Sequence, residues 1–329
     1  MISPTETLML VNPESHGGVL KKEWPAIERE VRRALGDAGV RVMFTTSLDH
    51  GAGIVRTALR EGVKQVVAVG GDGTFAEVVQ GFFQSGEPIS PEAELLLVPG
   101  GRGNDFFRMI SERAGDRDGW MRGIELMRKG SATPCDLIQV RLKSRDGGVT
   151  SRLGLNLSSF GFGGHVVSRV HQKEGLIGRS FLSKTSLSYL LHSAATFLEY
   201  DSVHLRVSVD GALLHEGKLM MGAVLNGAYN AGGLCWSKKA RIDDGLLDVV
   251  LLPPLGGANR ARLLKALAGG DIAGIPGALF AQGRQVEIVD LDPALHRHKL
   301  IEVDGDLPEP PGLVRAEFTV RPGAVRIRR

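Results

Sequence analysis

The sequence predicts an N-terminal α/β domain with a Rossmann-like parallel sheet, followed by a C-terminal β-sandwich domain. In the first part of the chain, short apolar runs alternate with helical patterns, and Gly-rich turns follow the runs. After about residue 133, apolar strands follow one another without regular helices, as in an antiparallel β domain. The predicted divisions are 1–133, 134–308 and a segment 309–329 that returns to the first domain.

Four strands and their crossover helices account for the first domain. The predicted strands are LMLVN (8–12), VRVMFTT (40–46), QVVAVGG (65–71) and ELLLVPGG (94–101). One crossover helix is predicted by apolar residues at spacings of three and four: Trp24, Ile27, Val31 and Leu35. A second is predicted around Ile54 and Ala58. In such sheets, ligands bind beyond the carboxyl ends of the strands.

The second domain is predicted from apolar runs at 133–143, 150–159, 203–211, 218–227, 245–253 and 284–292. An apolar helical stripe over 185–200 predicts a helix packed on the sheet, with a wall of a substrate cleft as the alternative. The Gly- and Ala-rich stretch 256–277 predicts a further helix between loops.

Composition excludes several classes of protein. The chain has 40 basic and 37 acidic residues and a net charge of +3, far from the basic field that wrapping a nucleic acid requires, so we expect no nucleic acid partner. Cys135 and Cys235 lie far apart without neighbouring ligands, which predicts buried thiols in a cytoplasmic protein and no zinc site. No run approaches the roughly 18 apolar residues of a membrane-spanning helix.

The loop Gly70–Thr74, GGDGT, carries the strongest chemical signal. It follows a predicted strand and precedes a helical segment. Adjacent glycines let backbone N–H groups approach phosphate oxygens, and the helix adds its positive N-terminal end. Asp72 adds a carboxylate suited to Mg²⁺. Taken alone, the same five residues also fit a β-turn that caps the helix.

Two further polar, Gly-rich loops follow neighbouring strands in the same way. They are NPESHGG at 12–18 and PGGRGND at 99–105. Three such loops on one edge of a sheet are hard to explain as turns alone. Because no Walker sequence G-x-x-x-x-G-K-[ST] and no protein-kinase motif set is present, the predicted nucleotide site has a different design.

Several short motifs appear along the chain in a fixed order. They are V-N-P-x-S near the start, G-G-D-G-T-x-x-E (70–77), P-x-G-x-x-N-D-F-x-R (99–108), N-x-x-x-x-G-F (156–162), D-D-G-L-L-D (243–248) and V-D-G-D (303–306). The ordered set resembles the bacterial diacylglycerol kinase and related lipid kinase family over essentially the whole chain. The resemblance implies an N-terminal nucleotide domain, a C-terminal β-sandwich and ATP in the cleft between them.

The resemblance also implies the residues that bind cofactors. A structural Mg²⁺ would be held by the Asp244 carboxylate and by the carbonyls of Arg241 and Leu246. The residues implied to contact ATP are Asn12, Thr46, Gly71, Asp72, Gly73, Thr74, Glu77, Arg102 and Asn104.

Asp304, Asp306 and Asp72 are the predicted catalytic residues, and the first two stand where the family has its acidic pair. Two carboxylates that flank Gly305 suit a general base facing a hydroxyl. The alternative for V-D-G-D is an ordinary turn. D-D-G at 243–245 is likewise a good turn sequence, and its metal role rests on the resemblance.

The chain departs from the family pattern in three places. Arg102 replaces a usual Thr, which removes a hydroxyl but could place a guanidinium on the phosphates. Asp306 replaces a usual Glu and shortens the reach of that carboxylate. Gly163 and Gly164 stand where Asp-Ala is common, which puts a contact to the acceptor in doubt.

The function that follows is an ATP-dependent lipid kinase, with diacylglycerol as acceptor and phosphatidate as product. The alternatives are a kinase of ceramide, a sphingoid base or another lipid alcohol, an NAD kinase, and a lipid- or nucleotide-binding regulator without turnover. We expect a cytoplasmic protein that contacts the inner face of the membrane peripherally to reach its lipid. A homodimer is left open.

Overall fold

The computed structural model describes residues 7–36, 39–47, 50–111, 119–168, 197, 200–292 and 300–329. Its contacts divide the chain into two compact units. The first is made of Met1–Leu137, Ile242–Asp244 and Arg321–Arg329, and the second of Ile138–Arg241 and Gly245–Val320. The corresponding divisions predicted from the sequence fall at residues 133 and 308.

The first unit alternates strands and helices. Their bounds are β1 Thr7–Val11, α1 Ser15–Leu35, β2 Val40–Phe44, α2 His50–Arg60, β3 Gln65–Gly70, α3 Asp72–Gly81, β4 Phe83–Gln84, β5 Glu87–Pro88, β6 Glu94–Pro99, α4 Asp105–Ile110, α5 Gly119–Lys129 and β7 Ala132–Ser144, which continues into the second unit. The four predicted strands are confirmed. Each ends one or two residues before its predicted limit, where a Gly-rich or polar loop begins.

The second unit is composed mainly of strands. Their bounds, with one helix, are β8 Val149–Gly154, β9 Leu157–Gly161, β10 Val203–Val209, β11 Ala212–Leu219, β12 Met221–Leu225, β13 Tyr229–Asn230, β14 Leu234–Cys235, β15 Leu247–Leu252, α6 Gly257–Gly269, β16 Leu279–Gly283, β17 Gln285–Asp290, β18 Ile301–Val303 and β19 Leu313–Arg328, which ends in the first unit. A short 3₁₀ turn covers Ile272–Gly274.

The sheet of the first unit is parallel. Its strand order is β2-β1-β3-β6, and the last residues of β19 run parallel to β6. Met9 on β1 is level with Val42 on one side and with Val67 on the other. Parallel strands in this register bring their carboxyl ends to one edge, so the loops that follow Val11, Gly70 and Pro99 begin side by side.

Helices cover both faces of this sheet. Met9 and Leu96 are buried with Ile27 of α1 and Ile124 of α5. Successive side chains of a strand point to opposite faces, and on the other face α2 approaches Leu10. All five residues of β1 are therefore buried, as is typical of a central parallel strand.

Two antiparallel sheets form the second unit. One has the order β16-β15-β12-β9-β18, and the other has β11-β10-β17-β19, with β7 paired to β19 and β8 paired to β7. Leu205 and Ile288 of the second sheet share a buried core with Phe160 and Val224 of the first. On the other face of the first sheet, Leu263 of α6 joins a second apolar cluster. The predicted α/β plus β-sandwich fold class is confirmed.

Two predicted strands are each interrupted. The run 150–159 forms β8 and β9 with a break at Leu155 and Asn156, and the run 218–227 is divided at Met220. The predicted helix within 256–277 is α6. The stripe predicted over 185–200 lies outside the described residues apart from Phe197 and Tyr200. Within the described part of the chain, no helix has the length and apolar character needed to cross a bilayer.

Candidate functional site

The loops after β3 and β6 touch through glycine backbones. The N–H of Gly100 donates to the carbonyl of Gly70 at 2.7 Å. A Cβ at Gly101 would lie 2.5 Å from Cα of Gly71, closer than any real side chain sits, so only glycine fits there. The two Gly-rich loops predicted as phosphate-binding segments are thus held against each other at the sheet edge.

The loop after β1 joins this pair through Asn12. Its Nδ2 group donates to Oγ1 of Thr74 at 3.1 Å, and its backbone N–H donates to the carbonyl of Val69 at 3.0 Å. Thr74 is buried in the first turn of α3. The structure therefore brings together three predicted site residues, Asn12, Gly71 and Thr74.

Helix α3 begins within the GGDGT loop. Gly71 is its N-cap residue in extended conformation, and Gly73 is exposed in the first turn. The first N–H groups of a helix have no partner within the helix, and the helix dipole adds a partial positive charge there. This end of α3 is suited to bind an anion such as a phosphate.

Asp72 supports the neighbouring loop. Its Oδ1 accepts the backbone N–H of Phe106 at 3.0 Å, in the first turn of α4. Its Oδ2 and Oδ2 of Asp105 lie 3.1 and 3.0 Å from the position that a Cβ at Gly103 would occupy. Asp72 therefore caps α4, a structural task that accompanies its predicted catalytic role.

Asn104 and Arg102 belong to the same loop as Gly101. Asn104 has a left-handed backbone with φ of 50°, and its side chain accepts the N–H of Gly101 at 2.9 Å and donates to the Gly101 carbonyl at 3.1 Å. The amide thus closes the loop on itself. Arg102 is exposed at the tip between them.

Glu77 and Thr46 are both engaged at the start of α2. Oε1 of Glu77 accepts the N–H of Gly51 at 2.7 Å. The backbone N–H and Oγ1 of Thr46 lie 3.2 and 3.0 Å from Nδ1 of His50, the first residue of that helix. These contacts hold the first turn of α2 next to Thr46 and Glu77.

In the second unit, V-D-G-D forms a tight hairpin turn. Val303 and Asp306 exchange two backbone hydrogen bonds of 2.9 Å. Asp304 and Gly305 between them have φ of 50° and 85°, the left-handed pair that a two-residue type I′ hairpin requires. The turn that was the alternative interpretation of this motif is present, and it carries the acidic residues.

The Asp304 carboxylate accepts three backbone N–H groups. Oδ2 accepts from Leu155 at 2.6 Å, and Oδ1 accepts from Asn156 at 2.9 Å and from Leu157 at 3.0 Å. Burial raises the pKa of Asp304 to about 6, while the three hydrogen bonds and the charge of Arg152 oppose that rise. The carboxylate holds the break between β8 and β9.

Asp306 pairs with Arg152 of β8, a residue that the sequence analysis did not single out. The Asp306 side chain is 45% exposed, whereas that of Arg152 is 19% exposed. The Asp306 carboxylate is therefore ion-paired and still partly accessible to solvent.

Glu302 is a third acid in this cluster, and the sequence analysis missed it as well. It is only 3% exposed, although it lies between the apolar residues Ile301 and Val303 of a short strand. A charged side chain inside a buried strand was the available signal. Burial raises the pKa of Glu302 to about 7, and the neighbouring charge of Asp304 adds to that rise.

Arg241, Asp244 and Leu246 lie in the irregular segment between β14 and β15. Their carboxylate and carbonyl oxygens are the donors that Mg²⁺ prefers, so the donor chemistry fits the predicted ion. The preceding residue, Asp243, pairs with Arg329. Among the described residues, His, Cys, Asp and Glu side chains form no group of three or more that could hold a metal. The magnesium site stays a prediction.

Two protein-family models match most of the chain. Residues 6–140 match the diacylglycerol kinase catalytic domain, and residues 160–329 match the YegS C-terminal NAD kinase beta sandwich-like domain. A Pseudomonas fluorescens protein named "Probable lipid kinase YegS-like" is 30% identical over 318 residues, which cover 95% of this chain and 92% of that protein. A Pseudomonas aeruginosa protein of the same name is 30% identical over 329 residues, covering 98% and 93%.

A solved structure shows the same fold. The crystal structure of a diacylglycerol kinase from Bacillus anthracis matches with a TM-score of 0.68 and 18% identity, over 98% of this chain and 96% of that one. The two domain matches define the class of protein as a kinase with a diacylglycerol kinase catalytic domain. Within that class, the chain belongs to the YegS-like lipid kinase family.

Proposed function

We propose that this chain transfers the γ-phosphoryl group of ATP to a hydroxyl of diacylglycerol and so produces phosphatidate. The observation that carries the proposal is the contact between the loops after β3 and β6, where Gly71 and Gly101 meet. That contact lies at the N-terminal end of α3, whose first N–H groups have no partner within the helix. Membership of a lipid kinase family supports the choice of a lipid as acceptor.

The first unit binds the nucleotide in this proposal. The N–H groups of Gly71, Gly73 and Thr74 hold phosphate oxygens, and Asn12 fixes Thr74. The guanidinium of Arg102, at the exposed tip of the third loop, pairs with a phosphate. Thr46 and Glu77 act mainly by placing α2.

Magnesium would be held in two places. Asp72 would bind the ion that accompanies ATP. Asp244, with the carbonyls of Arg241 and Leu246, would bind a structural ion. When bound, Mg²⁺ neutralises charge on the phosphates. The residues of the chain orient the reactants around it.

The second unit supplies the acid that faces the acceptor. Asp304 is committed to three N–H groups, so we assign proton transfer to Asp306 and the positioning of the turn to Asp304. The lipid O–H bond breaks as its proton passes to the Asp306 carboxylate. The lipid oxygen forms a bond to the γ-phosphorus as the bond to the β-γ bridging oxygen breaks, and ADP leaves.

The choice of acceptor also implies a location for the reaction, at a membrane surface. Diacylglycerol resides in a bilayer, so the proposal requires peripheral contact with a membrane surface from the cytoplasmic side. Basic side chains near such a surface contribute about 1 kcal/mol each toward anionic lipid. Lys21 and Lys22, both exposed on α1, are available for this contact.

The test is a screen of acceptors with purified protein and radiolabelled ATP. Diacylglycerol, ceramide and a sphingoid base in detergent micelles are compared with NAD and with lipid-free micelles. We expect a labelled phosphomonoester with diacylglycerol and none without lipid. Labelling of ceramide or the sphingoid base alone would correct the acceptor. Labelling of NAD, or ATP binding with no labelled product, would overturn the proposed function.

A further inference from the structure

The acidic turn in the second unit rests on a buried carboxylate with no part in the mechanism above. Glu302 stands directly opposite Ser159 in the pairing of β18 with β9. Its Oε1 accepts the Ser159 N–H at 2.9 Å and the Ser159 hydroxyl at 2.5 Å. Its Oε2 accepts the N–H of Gly305 at 2.7 Å. Glu302 thus connects strand β9 to the second central residue of the turn.

We propose that Glu302 is a positioning residue, whose carboxylate holds the Asp304–Gly305 turn against β9 and thereby sets where Asp306 meets the acceptor. The kinetic part of this proposal rests on the proposed function, while its structural part does not. As a positioning residue, Glu302 does not touch the substrate. It acts through the Gly305 N–H.

The contacts of Glu302 complement those of Asp304. Asp304 binds the stretch 155–157 at the beginning of β9, and Glu302 binds Ser159 further along the same strand. The backbone of the hairpin is already bonded to β9, since the Asp304 N–H donates to the Leu157 carbonyl at 3.0 Å. The two carboxylates add side-chain attachments on either side of that bond, and the Glu302 attachment is the one that reaches the Gly305 N–H.

The packing around Ser159 leaves room for its contact with Glu302 but not for a side chain at position 163. A Cβ at Gly163 would lie 2.0 Å from Oγ of Ser159, so a side chain at 163 has no room. The Ser159 hydroxyl, which donates to Glu302, fills the place that such a side chain would take. This explains in steric terms why glycine stands at 163, where the sequence departs from the family pattern.

All the groups that contact the Glu302 carboxylate are donors. They are two backbone N–H groups and one hydroxyl, which matches the ionised, acceptor-only carboxylate that predominates above its raised pKa of about 7. Replacement by an amide of the same size introduces an NH₂ group. In either orientation of that amide, the N–H of Gly305 or of Ser159 faces a donor and loses its acceptor.

The experiment compares Glu302→Gln with Ser159→Ala and the control Glu287→Gln in the full chain at pH 8, where Glu302 is ionised. Glu287 lies on the surface of β17, where it pairs with Arg315. Amide hydrogen exchange is followed in peptides that cover 157–160 and 302–306. We expect Glu302→Gln to speed exchange roughly tenfold in at least one of these peptides, since about one hydrogen bond is lost. Ser159→Ala should act in the same direction but less, and Glu287→Gln should change neither peptide.

Kinetics provide the second measurement, with dioleoylglycerol in micelles as acceptor. We expect Glu302→Gln to lower kcat roughly tenfold or more while KM for ATP stays within about twofold, because misplacement acts on the transition state. Wild-type exchange in both peptides would overturn the inference, as would wild-type kcat with altered exchange. If Glu302→Gln does not fold, Ser159→Ala decides by the same two criteria. If the wild-type protein phosphorylates no lipid, the proposed function fails and the exchange result still judges the structural role.

Discussion

Asn12 and Thr74 are 62 positions apart in the chain, yet Nδ2 of Asn12 donates to Oγ1 of Thr74 at 3.1 Å. The bond joins the loop after β1 to the first turn of α3. It therefore connects two of the three segments proposed to bind phosphate.

Thr74→Val should weaken ATP binding with little effect on the chemical step. Valine keeps the shape of threonine but cannot accept from Asn12, and a neutral hydrogen bond contributes about 0.5 to 1.5 kcal/mol. We expect KM for ATP to rise roughly two- to tenfold with kcat nearly unchanged. Thr57→Val, at an exposed position of α2, is the control. A variant with unchanged KM would remove this bond from nucleotide binding.

Gly73 and Gly53 allow a matched pair of substitutions. A Cβ at either glycine would meet nothing within 4 Å, and each lies inside a helix, α3 or α2. Alanine at either position should stabilise the fold by about 0.5 to 1 kcal/mol. Only Gly73→Ala should also raise Kd for ATP, because its methyl group would stand where phosphate is proposed to approach. Equal ATP affinities in the two variants, measured by calorimetry, would contradict the phosphate site.

Asp72 has a capping role that can be separated from its charge. Asp72→Asn keeps an oxygen for the Phe106 N–H, whereas Asp72→Ala removes it. We expect Asp72→Asn to fold with near wild-type stability and to lose turnover, because the negative charge proposed to bind Mg²⁺ is removed. Asp72→Ala should in addition lose about 1 kcal/mol of stability. An active Asp72→Asn protein would remove the charge from the mechanism.

Asp304 and Asp306 should respond differently to the same substitution. Asp304→Asn turns an NH₂ group toward backbone donors, so we expect a loss of about 1 to 3 kcal/mol of stability together with reduced kcat. Asp306→Asn weakens a pair whose carboxylate is 45% exposed, so stability should change by under about 1 kcal/mol while kcat falls. Urea unfolding and steady-state kinetics measure both. Loss of kcat in Asp304→Asn alone would place the acid at Asp304 and contradict the assignment of proton transfer to Asp306.

The sheet edge at which three loops follow β1, β3 and β6 could be predicted, because the sequence patterns that indicate it are local. β1, β3 and β6 are short continuous apolar runs, and their register follows from parallel pairing. The Gly-rich segments come directly after these strands. Asp304-Gly305 is likewise a local turn signal, since aspartate and glycine both tolerate positive φ.

The acidic cluster depends on contacts that no local pattern contains. Arg152 lies 154 positions from Asp306, and Ser159 lies 143 positions from Glu302. The predicted strand over 150–159 is interrupted at residues 155 and 156 for the same reason. The Asp304 carboxylate takes the N–H groups of residues 155–157, which a continuous strand would use in its ladder.

The strand β19 was not predicted as a single element. Its residues 315–319 pair with β17 in the second unit, while Arg326 and Ile327 pair with β6 in the first. Pro322 and Gly323 interrupt the alternation of apolar and polar residues in the middle of the strand. Pro and Gly inside such a run argue against a strand, and the segment 309–329 was predicted only to return to the first domain.

Stability should depend on pH through Glu302. Burial raises its pKa from 4.5 to about 7. Below about pH 4.5 the group is protonated in folded and unfolded chains alike. Between pH 4.5 and about 7, the unfolded chain has released a proton that the folded chain still binds, so stability falls as pH rises, by on the order of 3 kcal/mol in total once pH exceeds the folded pKa.

Burial also raises the pKa of Asp304, from 3.8 to about 6. Its ionisation therefore also lowers stability as pH rises, over a lower pH range, and the measurement must separate this effect from that of Glu302. Glu302→Gln cannot ionise at this position, and it retains Asp304. The free energy of unfolding of the wild type minus that of Glu302→Gln should therefore decrease between pH 5 and pH 8. Urea unfolding followed by circular dichroism at unit pH steps provides the difference, and Glu287→Gln provides the control curve. A difference that stays flat or increases with pH would mean that Glu302 is ionised in the folded protein throughout this range, because its three donors then outweigh the cost of burial.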